Sequence, residues 1–243
     1  MKTVLITGAS RGIGKATAIE FAKKGYAVAV NYNKSKSEAE KLCREITALG
    51  GKAKAFSADI SKADSVKKMV KDVLEHFGKI DVLINNAGVA LNQGLFTDFT
   101  EEDIEKVFKT NVFGMMNVTK EVIPEFIKKK SGKIVNVSSV WGVLGASCEV
   151  IYSSSKGAVI AFTKALAREL APSGVCVNCI APGMIDTDMN SHLSEADKKA
   201  FSEEIPLYRI GKADEVAKAV YFLASEDADY ITGKVMEVDG GLI

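Results

Sequence analysis

Short β-branched and aliphatic runs alternate with amphipathic stretches along the whole chain. The runs fall at residues 3–7, 27–31, 53–57, 82–84, 133–137, 174–180 and 235–238 and predict seven strands. Most are nearly continuous in apolar residues, the pattern of strands covered on both faces. Between them, apolar residues recur every three or four positions, which predicts helices over 12–24, 37–49, 63–77, 101–130, 151–170 and 213–224. Strands alternating with helices imply βαβ crossovers. The expected fold is therefore α/β, a Rossmann-type, doubly wound parallel sheet of about seven strands flanked by helices. No repeat or Pro/Ser-rich linker divides the pattern, so residues 1–243 read as one domain. One stretch breaks the rhythm. Residues 182–211 form a long insertion with a short helix predicted around 194–204, and such excursions in compact domains serve as lids or binding loops.

Composition narrows the classes of function. Hydrophobic residues make up 47% and charged residues 26%, ordinary globular values, and the net charge is +1. That balance gives no electrostatic reason to expect nucleic acid or an anionic membrane as partner. The opening Met1-Lys2-Thr3-Val4-Leu5-Ile6-Thr7-Gly8 is too short an apolar run for a signal peptide or a spanning helix, so a cytoplasmic location is expected. Cys176 and Cys179 match C-x-x-C, but on a strand an odd spacing sends the two sulfurs to opposite faces. No second Cys or His pair completes a zinc site, and His76 and His192 stand alone and read as surface residues. No metal is expected.

The candidate chemistry begins at Thr7-Gly8-Ala9-Ser10-Arg11-Gly12-Ile13-Gly14, which joins the first predicted strand to the first helix. Glycines let backbone approach a pyrophosphate, and a helix N-terminus offers it free N–H groups and positive potential. The spacing G-x-x-x-G-x-G differs from the G-x-G-x-x-G dinucleotide fingerprint, but the strand-to-helix position is that of a phosphate-binding turn. The second strand ends Val30-Asn31-Tyr32-Asn33-Lys34 without the acid that would hold a ribose 2′-hydroxyl, and Arg11 stands in the turn. A carboxylate repels a 2′-phosphate whereas a guanidinium pairs with it. NADP(H) is the expected cofactor.

Tyr152 and Lys156 lie one helical turn apart on a shared face, and Ser139 lies thirteen residues upstream of the tyrosine. Phenol, ammonium and hydroxyl together make a proton-transfer set for a carbonyl/alcohol reaction. Bringing a tyrosine from about 10 to near neutrality takes about 4 kcal/mol. A cation held beside it in a partly dry site is expected to supply much of that.

Taken in order, these residues resemble the short-chain dehydrogenase/reductase family over the whole chain. The resemblance rests on the glycine turn, Asp59-Ile60, Asn85-Asn86-Ala87-Gly88, Asn111, Ser139, Tyr152-x3-Lys156, Pro182-Gly183 and the closing Val238-Asp239-Gly240-Gly241. It implies that Gly8, Ser10, Arg11, Gly12 and Ile13 surround the cofactor phosphates, with Asn33 near the 2′-phosphate. Asp59 and Ile60 would flank the adenine, and Asn86, Ala87 and Gly88 the ribose. Pro182, Gly183, Ile185 and Thr187 look like the loop that holds the nicotinamide carboxamide. By the same resemblance Ser139 binds the substrate oxygen and Tyr152 exchanges the proton. Lys156 would lower the tyrosine pKa and bind the nicotinamide ribose, while Asn111 supports a water in a proton relay.

Within that family the chain is most similar to the 3-oxoacyl-[acyl-carrier-protein] reductases of fatty acid biosynthesis, through Lys164-Ala165-Leu166-Ala167-Arg168-Glu169-Leu170, the run from Ala181 to Met189, and Tyr230-Ile231-Thr232-Gly233. The substrate implied is a ketone, a 3-oxoacyl thioester on acyl carrier protein, and the implied assembly is a homotetramer packed through the long helices and the C-terminal strand. Three departures bear on the substrate. Val89-Ala90-Leu91-Asn92 replaces a Thr-Arg-Asp-Asn run, Ala146-Ser147-Cys148-Glu149 replaces Gly-Gln-Ala-Asn, and Ala171-Pro172-Ser173-Gly174 lacks a basic residue that helps dock an acidic carrier. Glu149 suits a cationic substrate, and the run from Trp141 to Val150 resembles reductases of a 5-aminopentanone group on elongation factor P. A non-catalytic NADP(H)-binding sensor and an NAD-dependent oxidation of a sugar or steroid complete the alternatives; the missing acid after the second strand speaks against the last.

Overall fold

The computed structural model describes residues 1–190 and 194–243. In chain order the strands are β1 (Thr3–Ile6), β2 (Ala27–Tyr32), β3 (Lys52–Ser57), β4 (Val82–Asn85), β5 (Gly132–Val137), β6 (Val175–Pro182), β7 (Ile185–Asp186), β8 (Gly211–Lys212) and β9 (Val235–Val238). Seven of them form one sheet in the order 3-2-1-4-5-6-9, every pair parallel, while β7 and β8 pair by themselves. The helices are α1 (Gly12–Lys23), α2 (Lys36–Ala48), α3 (Ala63–Phe77), α4 (Glu101–Phe108), α5 (Met115–Lys129), α6 (Trp141–Leu144), α7 (Val150–Leu170), α8 (Glu195–Glu204) and α9 (Ala213–Ala224).

Period-2 geometry explains why the inner strands are apolar along most of their length, both faces being covered. Val4 and Ile6 face one layer with Val28, Val30 and Ile84, against Phe21, Leu42, Ile46 and Val220 of α1, α2 and α9. Leu5 faces the other with Leu83, Ile134 and Val177, against Val66, Val73, Val118, Phe126 and Leu170 of α3, α5 and α7. Each such side chain contributes roughly 1.5–3 kcal/mol by leaving water. The strand order reverses between β1 and β4, and in sheets of this kind the ligand crevice lies outside the carboxyl ends at that reversal.

One sequence expectation is revised and another is extended. The helix predicted over 101–130 is interrupted by a π turn at Lys109–Gly114, because Asn111 is pulled inward to bond the Val89 backbone. Gly114 lets that turn sit on Ile60: a Cβ there would lie 2.8 Å from Ile60 Cδ1. The insertion after β6 carries structure of its own, with β7 and β8 paired and α8 starting at a Ser194–Asp197 capping box. His192 lies outside the described residues. Both cysteines are expected as small buried hydrophobes; Cys179 is fully buried, but Cys176 is only half-buried, and both thiols are free. His76 is exposed at the end of α3, its Nδ1 3.2 Å from Lys54 Nζ.

Candidate active site

The glycine turn and the end of β4 are built as one piece. Gly8 adopts φ +61, and a Cβ there would lie 2.8 Å from Ala87 Cα, so only glycine lets the two segments meet. Thr7 Oγ1 accepts from the backbone N–H groups of Asn86 and Ala87 at 3.0 and 3.1 Å. Asn86 Nδ2 returns two bonds, to the carbonyls of Thr7 (2.9 Å) and Gly8 (3.0 Å). On the other flank Asn31, buried at the end of β2, accepts from Gly8 N–H and donates to the carbonyls of Phe56 and Ala58. Arg11 is exposed at the N-cap of α1 and Asn33 is exposed just past β2.

Asp59 accepts from the N–H and hydroxyl of Ser61, and Ile60 is buried beneath Gly114. Across the crevice, Pro182 O accepts from Val140 N–H and Gly183 N–H donates to Val238 O, which fixes the root of the insertion. Ile185 is buried, pairing with Gly211, and Thr187 reaches back to the glycine turn: a Cβ on Gly12 would stand 3.6 Å from its side chain.

Tyr152 and Lys156 rise from the first turns of α7, with Lys156 Nζ 5.6 Å from the centre of the tyrosine ring and bonded to Val137 O at 2.9 Å. The phenol hydrogen-bonds Ser139, which stands just past β5. Asn111 Nδ2 donates to Val89 O (2.9 Å) and to Ser155 Oγ (3.0 Å), and Ser155 donates to Tyr152 O. A Cβ on Gly88 would sit 3.3 Å from Asn111 Oδ1 and 3.4 Å from Lys156 Nζ, so all four groups converge at the carboxyl ends of β4 and β5. A phenol, an ammonium, a hydroxyl and an amide, beside a backbone cradle open to a phosphate, can hold a dinucleotide and move a proton.

Residues 2–198 match the family model described as short chain dehydrogenase. The chain belongs to that family. It is similar to the 3-oxoacyl-[acyl-carrier-protein] reductase FabG of Staphylococcus epidermidis, 43% identical over 241 residues that cover 99% of this chain and 98% of the relative. The reductase of the same name from Thermotoga maritima is 42% identical over 242 residues, 100% of this chain and 98% of the relative. The uncharacterized oxidoreductase YmfI of Bacillus subtilis is 41% identical over 241 residues, 99% and 98%. This short-chain dehydrogenase is thus an oxidoreductase of the CH–OH/C=O couple that works with a nicotinamide cofactor.

Electrostatics of the site differ from the sequence expectation in one respect. Burial pushes the Tyr152 phenol up to about 12, opposed by the Ser139 hydrogen bond and reinforced by the Glu149 carboxylate. The Lys156 ammonium stands 5.6 Å from the ring centre and donates to the Val137 carbonyl. Burial in turn pushes Lys156 down to about 8. In the free protein this short-chain dehydrogenase keeps its phenol protonated at neutral pH.

Several side chains that organise the site were given no role of their own in the sequence reading. Ser138 donates to Lys156 O at 2.8 Å. Ser155, Asn31 and Thr7 act as described above. Gly142 lets α6 dock on α7, since a Cβ there would lie 2.7 Å from the Lys156 carbonyl carbon. A signal for Asn31, Asn85 and Asn136 was available: each is an amide inside an otherwise apolar strand run, and a buried polar group is placed where it has a partner.

Proposed function

We propose that this short-chain dehydrogenase is an NADPH-dependent carbonyl reductase acting on a ketone, foremost a 3-oxoacyl thioester presented by acyl carrier protein. The observation that carries this is the convergence of Tyr152, Lys156, Ser139 and Asn111 beside the glycine turn. Gly8, Ser10, Arg11, Gly12 and Ile13 would hold the phosphates, with Asn33 and Arg11 toward the 2′-phosphate. Asp59, Ile60, Asn86, Ala87 and Gly88 would line the adenine and ribose, and Pro182, Gly183, Ile185 and Thr187 the nicotinamide side. When bound, the cofactor supplies the hydride. Ser139 orients the substrate oxygen, Tyr152 gives it a proton, and Lys156 and Asn111 lead to the replacement proton. A phenol held protonated by burial suits a general acid. The reading carries with it a cytoplasmic homotetramer; among the described residues no helix is long and apolar enough to cross a membrane.

A second reading is favoured by Glu149, whose carboxylate is close enough to push the Tyr152 phenol upward. A negative charge there suits a ketone bearing an amine, such as a 5-aminopentanone group on elongation factor P. One experiment separates the readings. The purified protein with NADPH is offered an acetoacetyl thioester and, separately, aminopentanone-modified elongation factor P, and NADPH oxidation is followed. Turnover of the first alone supports the carrier-protein reading, and of the second alone the other. Inertness toward both, with Tyr152→Phe indistinguishable from wild type, would speak for a non-catalytic NADP(H)-binding sensor.

A further inference from the structure

The π turn with α5 and the helix α7 run in step beneath the site. Asn111 meets Ser155 directly, Nδ2 to Oγ at 3.0 Å. Four residues further along each helix, Met115 and Val159 pack together against buried Cys179. Four residues beyond those stand Thr119 and Thr163, and two amides from the sheet join them. Asn85 Nδ2 donates to Thr119 Oγ1 at 2.9 Å and to Asn136 Oδ1 at 2.8 Å, and Asn136 Nδ2 donates to Thr163 Oγ1 at 2.9 Å. Asn85 and Asn136 are register partners on β4 and β5. Each threonine hydroxyl donates in turn to the carbonyl one turn back, Met115 O and Val159 O, at 2.8 Å. The four side chains are 0–4% exposed.

Such a bridge is a costly way to fill space. Asn85 Oδ1 has no partner among the described residues, and a buried acceptor left unmade costs about 1–3 kcal/mol. Apolar side chains of similar size would fill the same volume without that cost. What they would lack is fixed length and direction, which a chain of hydrogen bonds anchored in two strands imposes.

We infer that the Thr119–Asn85–Asn136–Thr163 bridge is a positioning device that locks α5 and α7 in register, so that Asn111 is held opposite Tyr152 and Lys156. The inference rests on the catalytic reading given above. None of the four touches the reacting atoms; they act through the helices that carry the groups that do. Both helices are referred to the same pair of strand ends, so a slip of either would separate Asn111 from Ser155.

Thr163→Val keeps the shape and removes the acceptor, and Thr163→Ser keeps the hydroxyl. In steady-state reduction of whichever of the two ketones the protein turns over, with NADPH, Thr163→Val is expected to lower kcat about tenfold, since small displacements of catalytic groups are costly. KM for both substrates should stay within about twofold. The alkaline limb of the kcat–pH profile should move, and Thr163→Ser should restore both. Wild-type kcat and an unmoved profile in Thr163→Val would overturn the inference, as would losses that follow the melting temperature and are not restored by serine. Should Thr163→Val fail to fold, Thr119→Val and Thr119→Ser put the same question at the other end. A wild-type protein inert toward both ketones sinks the functional reading alone. Amide hydrogen exchange at Ser155 and Lys156, faster in the valine variant and normal in the serine one, would then still decide the bridge.

Discussion

At the scale of single residues, the tension lies between Tyr152 and Lys156. Burial raises the first to about 12 and lowers the second to about 8. Between about pH 8 and 10.5 the unfolded chain keeps the lysine proton that the folded chain has shed, so stability from this group rises with pH across that window. For the tyrosine, between 10 and about 12, the folded chain keeps the proton and stability falls. At neutral pH the charged lysine therefore costs the free protein up to about 3 kcal/mol. Lys156→Met should raise the melting temperature of the cofactor-free protein at neutral pH, the margin shrinking above about pH 8, while ketone reduction is lost. A lower melting temperature would contradict the burial cost. Tyr152→Phe should cut kcat by roughly 10²–10⁴ and leave NADPH affinity, read by fluorescence, within about twofold. The i,i+4 spacing made this pair legible in the sequence. The field at the phenol was not, because it depends on how deeply α7 sits and on Glu149, which only the fold brings near.

At the scale of elements, the long apolar strand runs and their order were legible, since residues buried on both faces leave no polar alternation to misread. The break in the helix over 101–130 was not legible. A π turn adds one residue to a turn, a change that a hydrophobic pattern of three-and-four spacing absorbs without trace. The two-residue strands β7 and β8 and the one-turn α6 were too short to show any period. Yet α6 packs closely on α7. Gly142→Ala would put its methyl 2.7 Å from the Lys156 carbonyl carbon and 2.8 Å from Ser138 Oγ. The expected result is a loss of about 1–3 kcal/mol by denaturant unfolding together with a fall in kcat. Unchanged values of both would show that α6 shifts freely. Elsewhere on the surface, Thr100 caps α4 through a reciprocal bond with Asp103, and Thr100→Ala should cost about 1 kcal/mol.

At the scale of the whole molecule, the sheet gathers the glycine turn, the Asn86–Gly88 segment, Ser139 and the root of the insertion at one edge, because every strand in it runs the same way. Cofactor choice is then a matter of charge at the rim. Arg11 and Asn33 are exposed there, and NADPH should bind more tightly than NADH in fluorescence titration. Arg11→Glu should abolish or invert that preference by about tenfold or more; equal affinity of the wild type for both would remove the role given to Arg11. Light scattering should return about four times the 26.0 kDa of one chain.

The interior place of β1 also constrains how the molecule is made. Its neighbours are β2, which follows at once, and β4, which a ribosome delivers some 75 residues later. Until that strand arrives, Thr7 N–H lacks the Ile84 carbonyl and the glycine turn lacks the Asn86 amide that ties it down. Non-local pairing of this kind is slow to form, so a nascent chain halted before β4 should have the glycine turn in sequence and no grip on a dinucleotide.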